Sequence, residues 1–122
     1  MKVGIPATDQ TIEAEIDPRF GRCPYFVIVD TETMDVRAVS NSGGKAGEGA
    51  GIQAAQTLAN EGVEAVIGPN FGPNAFMTLK YAEIKIFKGK GTISQVIEQF
   101  KKGELPEMQD SNVPKKAGQF TR

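Results

Sequence analysis

The sequence predicts a single α/β domain built on a mixed five-stranded sheet flanked by helices. Three observations predict it. Five short apolar runs, at residues 2–6, 25–29, 34–39, 63–67 and 84–87, have the length and the β-branched or aromatic content of strands. Past the midpoint the apolar period switches between 2 and 3.6, so that strands alternate with helices. With 122 residues, the chain is long enough for one core and too short for two.

The elements follow in order. Residues 2–6 carry Val3 and Ile5 and stop at Pro6, which suits a short buried first strand. Residues 7–23 scatter Thr, Asp, Pro and Gly without a period and read as a long loop with a short hairpin near 12–16; loops this long usually serve function. Tyr25-Phe26-Val27-Ile28-Val29 is the strongest strand. Asp30-Thr31-Glu32-Thr33 then turns the chain into 34–39, where Val36 and Ala38 alternate with Asp35 and Arg37, and the three strands make an antiparallel meander. After the glycine-rich stretch 42–51, Ile52, Ala55, Leu58 and Ala59 share one helix face and Gly62 supplies a stop. Residues 63–67 form the fourth strand. Gly68-Pro69-Asn70-Phe71-Gly72-Pro73 opens a second helix, with Pro73 suited to its first position and Phe76 and Leu79 on its apolar side. Residues 84–87 form the fifth strand. Thr92 and Gln95 have capping-box spacing, and Ile93, Val96, Ile97 and Phe100 repeat at i, i+3, i+4 and i+7, which predicts a third helix ended by Gly103. Residues 104–122 hold two prolines and no period, so a loosely held tail is expected beyond a domain of 1–103.

The order βββαβαβα contains two βα crossovers, which must be right-handed and join parallel strands. Placing strand one centrally gives the order 3-2-1-4-5 with strand two alone reversed, the topology of the ribonuclease H-like three-layer architecture. The loops 7–23, 42–51, 68–72 and 88–91 then converge on one sheet edge, where open α/β sheets usually bind ligands.

Composition excludes several function classes. A formal charge of −1 provides no field for nucleic acid or anionic lipid, and no apolar run approaches the length of a membrane span. Lys2-Val3-Gly4-Ile5-Pro6 lacks the apolar stretch of a signal peptide, so a cytoplasmic protein is expected. With no histidine and one cysteine, neither a Ser-His-Asp triad nor a multi-thiolate zinc site can form within the chain. A binding or carrier domain is therefore expected rather than an enzyme.

The converging loops carry chemistry suited to an anion. The glycine runs 47–51 and 68–72 each open a helix and present unpaired backbone N–H groups at the positive end of its dipole, and Arg19, Arg22 and Lys45 add charge. Tight turning is the bland alternative for either run, and neither matches a nucleotide-binding motif. Cys23, between Arg22 and Pro24, has two readings: a thiolate favoured by positive surroundings and able to ligate a soft metal, or a small buried hydrophobe. Tyr25 and Phe26 suit packing, and Lys80, Lys85, Lys88 and Lys90 a solvated surface.

The segments Asp17-Pro18-Arg19-Phe20-Gly21-Arg22-Cys23-Pro24-Tyr25-Phe26, Gly47-Glu48-Gly49-Ala50-Gly51-Ile52-Gln53-Ala54-Ala55 and Gly68-Pro69-Asn70-Phe71-Gly72-Pro73-Asn74-Ala75, in this order, resemble the dinitrogenase iron-molybdenum cofactor biosynthesis family, over residues 1 to about 102. The resemblance implies a small stand-alone protein that binds or carries an iron-sulfur or molybdenum-containing sulfide cluster, or a cofactor precursor, without catalysis, and that exchanges it with a donor or acceptor protein. On this basis the expected binding residues are Arg19, Phe20, Gly21, Arg22, Cys23, Gly49, Gly51, Asn70 and Gly72, with Cys23 as candidate metal ligand. Many members carry histidine where Arg19 stands, so charge and helix N-termini are expected to do most of the holding here.

Two rivals come from other classes. A nuclease with two divalent metals would need carboxylates clustered on the strands, and residues 2–6 offer none. A regulatory or scaffolding module would use the same crevice for a partner protein or small metabolite.

Overall fold

The computed structural model describes residues 1–41 and 49–112. Strands β1 (Lys2–Ala7), β2 (Tyr25–Asp30), β3 (Val36–Ser40), β4 (Ala65–Gly68) and β5 (Lys85–Lys88) form one sheet, and helices α1 (Ala50–Asn60), α2 (Pro73–Tyr81) and α3 (Ile93–Lys101) complete the order expected. The strand order is β3-β2-β1-β4-β5, with β1 central. β2 runs antiparallel to β1 and β3, while β1 pairs parallel with β4 and β4 with β5. Strand order and direction are thus as the crossover rules require.

Period-2 alternation divides the sheet into two faces, each with its own core. Phe26, Ile28, Val66 and Ile86 face α1 and α2 and pack with Ala54, Leu58, Phe76 and Leu79. Val3, Ile5, Val27, Val29 and Ile67 face the other way and pack against Ile93, Val96 and Ile97 of α3. Gly4 is where β1 meets α1: a Cβ there would lie 2.8 Å from a Leu58 methyl, so the helix rests directly on the strand backbone.

Element boundaries shift where local bonding overrides apolar content. β3 begins at Val36 because Met34 takes φ 62° and donates its N–H to the Asp30 carbonyl at 2.7 Å, closing the turn. Residues 12–16 do not form a hairpin of their own. Ile16 bridges Ala7, Glu15 bridges Thr92, and the N–H groups of Ile93 and Ser94 donate to the carbonyls of Ala14 and Ile12, so this loop docks on the start of α3. The capping box of α3 is present in both directions.

The expected loose tail is corrected over residues 104–112. Lys88 N–H donates to Pro106 O at 3.0 Å and Met108 N–H to Ile86 O at 2.7 Å, which covers the outer edge of β5 with backbone partners. Met108 is buried beside the α1/α2 core, and Leu105 packs against the α3 core. Two apolar residues spaced to straddle a sheet edge suffice to hold the segment, although they show no period in the sequence. Residues 113–122 lie outside the described residues.

Candidate functional site

The helices α1 and α2 start side by side at the sheet edge where β1 and β4 end. A Cβ on Gly51 would stand 3.1 Å from the Ala75 Cβ, so the first turns of the two helices touch through their smallest residues. The first intrahelical bonds are Gln53 N–H to Gly49 O and Phe76 N–H to Gly72 O, both 2.9 Å. The amides of Ala50, Gly51 and Ile52 in α1, and of Asn74 and Ala75 in α2, therefore have no acceptor within their helix. Neither end has a side-chain cap, and neither first turn contains an acidic residue. Two positive helix ends thus adjoin, with no acidic residue in the first turn of either.

The loop from β1 to β2 closes against this pair. Gly21 approaches α1 so closely that a Cβ would lie 2.8 Å from Gly51 N and 3.0 Å from Ala50 C, both backbone atoms. Beneath it, the buried Phe20 ring sits 5.4 Å from Phe26 and 5.1 Å from Phe71, making an apolar floor under both helix starts. Gly49 precedes α1 in the left-handed region at φ 78° and is exposed, as is Asn70 in the turn before α2, while Gly72 caps α2 in extended geometry. The structure therefore brings Phe20, Gly21, Gly49, Gly51, Asn70 and Gly72 to one edge. Residues 42–48, including Lys45, lie outside the described residues.

Arg19 is committed differently from the expectation. Its guanidinium donates to both carboxylate oxygens of Asp17, at 3.0 and 2.8 Å, and its backbone N–H donates to one of them at 2.9 Å. Asp17 is 1% exposed and Arg19 63% exposed, so the arginine partly neutralises a buried acid while its outer face stays in water. Burial opposes ionisation of Asp17, but the hydrogen bonds and charge of Arg19 prevail and hold its carboxyl below the usual value. Arg22 is exposed, with its N–H bonded to the Arg19 carbonyl at 3.0 Å.

Of the two readings of Cys23, the structure has the buried one. The side chain is fully buried, its Sγ donates to the Phe20 carbonyl at 3.4 Å, and Asn41 Nδ2 approaches the sulfur at 3.7 Å. Burial, reinforced by the Asp17 charge, pushes the thiol up to about 12. Its chain neighbour Arg22 is exposed while Cys23 is buried, so adjacency in sequence does not bring the two side chains into one environment. Among the described residues, no three of His, Cys, Asp and Glu come together to hold a metal ion. Among the described residues, the groups gathered at this edge are backbone N–H donors.

Sequence reasoning missed three contributors. Asn41 is buried, and its Nδ2 ties the carbonyls of Gly21 (3.2 Å) and Cys23 (2.9 Å), leaving Oδ1 without a partner among the described residues. Asp17 was legible only as a loop carboxylate, although the Asp-Pro-Arg spacing permits the clamp. Asn112 clasps the turn before α2, and nothing in the polar sequence around it signals that contact.

The Asp17 clamp predicts an acid dependence. A carboxyl whose folded value is depressed contributes stability that is complete above its unfolded value of about 4 and is lost as pH falls through the folded value. Asp17→Asn is therefore expected to flatten the acid limb of a plot of Tm against pH below about 4. Identical limbs in variant and wild type would assign acid lability to other carboxylates.

Residues 1–103 match the family described as dinitrogenase iron-molybdenum cofactor. An uncharacterized protein of Methanocaldococcus jannaschii is 32% identical over 109 residues, covering 86% of this chain and 89% of that protein. The apo form of the orange protein from Desulfovibrio gigas superposes with a TM-score of 0.89 at 35% identity, over 92% of this chain and 96% of that one. A NifB-like protein of Thermotoga, assigned to the DUF35 family, gives 0.80 at 34% identity over 95% and 98%. No helix among the described residues is long and apolar enough to cross a membrane.

Proposed function

The chain belongs to the dinitrogenase iron-molybdenum cofactor family, and on that premise we propose that it is a non-catalytic carrier of an anionic metal-sulfur cluster, or of a precursor to such a cofactor. The observation that carries the proposal is the pair of adjoining, uncapped helix starts with no acid in either first turn. A sulfide-rich cluster spreads negative charge over its outer sulfurs, which accept hydrogen bonds from backbone N–H groups. Such bonds form and release without exchange of a metal ligand, as a carrier needs if it is to deliver its cargo intact to an acceptor protein. A relative with an apo form supports the reading, since apo implies a second, occupied form of that protein.

Cys23 ligates nothing in this proposal. Burial pushes its thiol up to about 12, which keeps it protonated at neutral pH, and the sulfur is fully buried. We assign the sheet to the ribonuclease H-like architecture on strand order and direction, and we place the carrier in the cytoplasm, where a free thiol stays reduced.

The test is anaerobic reconstitution with iron, molybdate and sulfide, read by visible absorbance and metal counting. Wild type and Cys23→Ala are expected to load equally, and the bound colour is expected to fall as salt rises, because the holding force is largely electrostatic. A folded Cys23→Ala protein that takes up nothing would establish a thiolate anchor. No uptake by the wild type would leave the scaffold for a partner protein or metabolite as the better reading.

A further inference from the structure

The turn that delivers α2 to the site is held from outside the matched domain. Asn112 reaches back across 41 residues to accept the Phe71 N–H on Oδ1 at 2.8 Å. Its Nδ2 donates to the Pro69 carbonyl at 2.8 Å, and its own N–H donates to the Phe71 carbonyl at 3.2 Å. One partner of the amide is a donor and the other an acceptor, so its orientation is fixed by chemistry. These bonds seize both sides of Asn70, immediately before the Gly72 cap of α2. The family match stops at residue 103, and eight residues separate its end from Asn112.

We propose that Asn112 is a positioning residue for the anion site, with its side-chain amide fixing the 69–71 turn and thereby the place and direction of the α2 N–H groups. The inference rests on the carrier reading above. Turn backbone without these bonds samples more conformations, and an anion that needs two helix ends at once must then order the turn on binding. The segment that brings Asn112 into reach is anchored independently, by Met108 in the core and by backbone bonds to Ile86 and Lys88. Removing the amide alone therefore leaves the anchor in place.

The experiment measures the dissociation constant of a thiomolybdate anion for the full chain and three variants. Asn112→Ala is expected to raise it about five- to tenfold, the effect of ordering a turn on binding. Asn112→Gln, which keeps both donor and acceptor, is expected to recover part of that loss. Thr92→Ala removes the capping hydroxyl of α3 on the opposite face, costs comparable stability, and is expected to leave affinity unchanged. Amide exchange at Phe71 is expected to accelerate in Asn112→Ala and not in Thr92→Ala. Wild-type affinity in Asn112→Ala, or an equal loss in Thr92→Ala, would overturn the positioning role while leaving the carrier reading intact. Absence of wild-type binding would overturn the carrier reading and this inference with it.

Discussion

Replacing Phe71 by alanine is expected to lower stability by about 3–5 kcal/mol, the range for deleting a fully buried aromatic ring. The ring is fully buried, packs at 5.1 Å from Phe20, and lies against the Gly68 backbone, where a Cβ would meet its Cζ at 3.1 Å. The Gly68 backbone at the end of β4 lines one wall of the cavity and resists collapse into it, which favours the upper part of the range. Urea denaturation should show a lower midpoint with an unchanged slope. A loss below about 1.5 kcal/mol would mean that the 68–72 turn relaxes into the space, and that the start of α2 is less firmly placed than its packing indicates.

Ending the chain at Gly103 is expected to be the next largest perturbation, at roughly 2–3 kcal/mol. Deleting a buried methionine typically costs about 2–5 kcal/mol, and Leu105 adds to it, while the entropy regained by the freed segment offsets part. For a domain of this size the shift corresponds to a Tm lower by on the order of 10–15 °C. Removal also strips the backbone partners of Ile86 and Lys88, so the truncated protein should associate through the exposed edge of β5 at high concentration. Calorimetry and sedimentation of the two chain lengths would check both effects. Equal melting temperatures would restore the reading of residues 104–112 as dispensable.

Much of the architecture was legible because periodicity and chain connectivity are local signals. Val3 and Ile5, the run from Tyr25 to Val29, and the i, i+3, i+4, i+7 repeat of Ile93, Val96, Ile97 and Phe100 each announce an element and its buried face, and all of them are buried except the half-buried Tyr25 and Phe100. Right-handed crossovers then leave one economical strand order, and the structure has it. Glycine runs before two apolar helices likewise foretold two helix starts at one edge. What failed was boundary detail at Met34 and at residues 12–16, where a single hydrogen bond or a docking contact outweighs propensity.

The sequence by itself determined the elements, their order in the sheet and the edge at which α1 and α2 begin. Tertiary structure alone decided which charges and polar groups remain for a ligand. Arg19 offers charge in the sequence, and folding sets its guanidinium on the buried carboxylate of Asp17; Cys23 reads either as a thiolate or as a buried hydrophobe, and folding closes Phe20 and Asn41 around it. Gly51 reads in the sequence only as part of a glycine run, and folding shows that it lets Gly21 and Ala75 pack closely against the start of α1. Asn112 carried no signal at all. The physical reason is common to these cases: periodicity reports which side of an element is buried, but the protonation, pairing and free valence of a polar group depend on neighbours distant in sequence, and only folding brings them together.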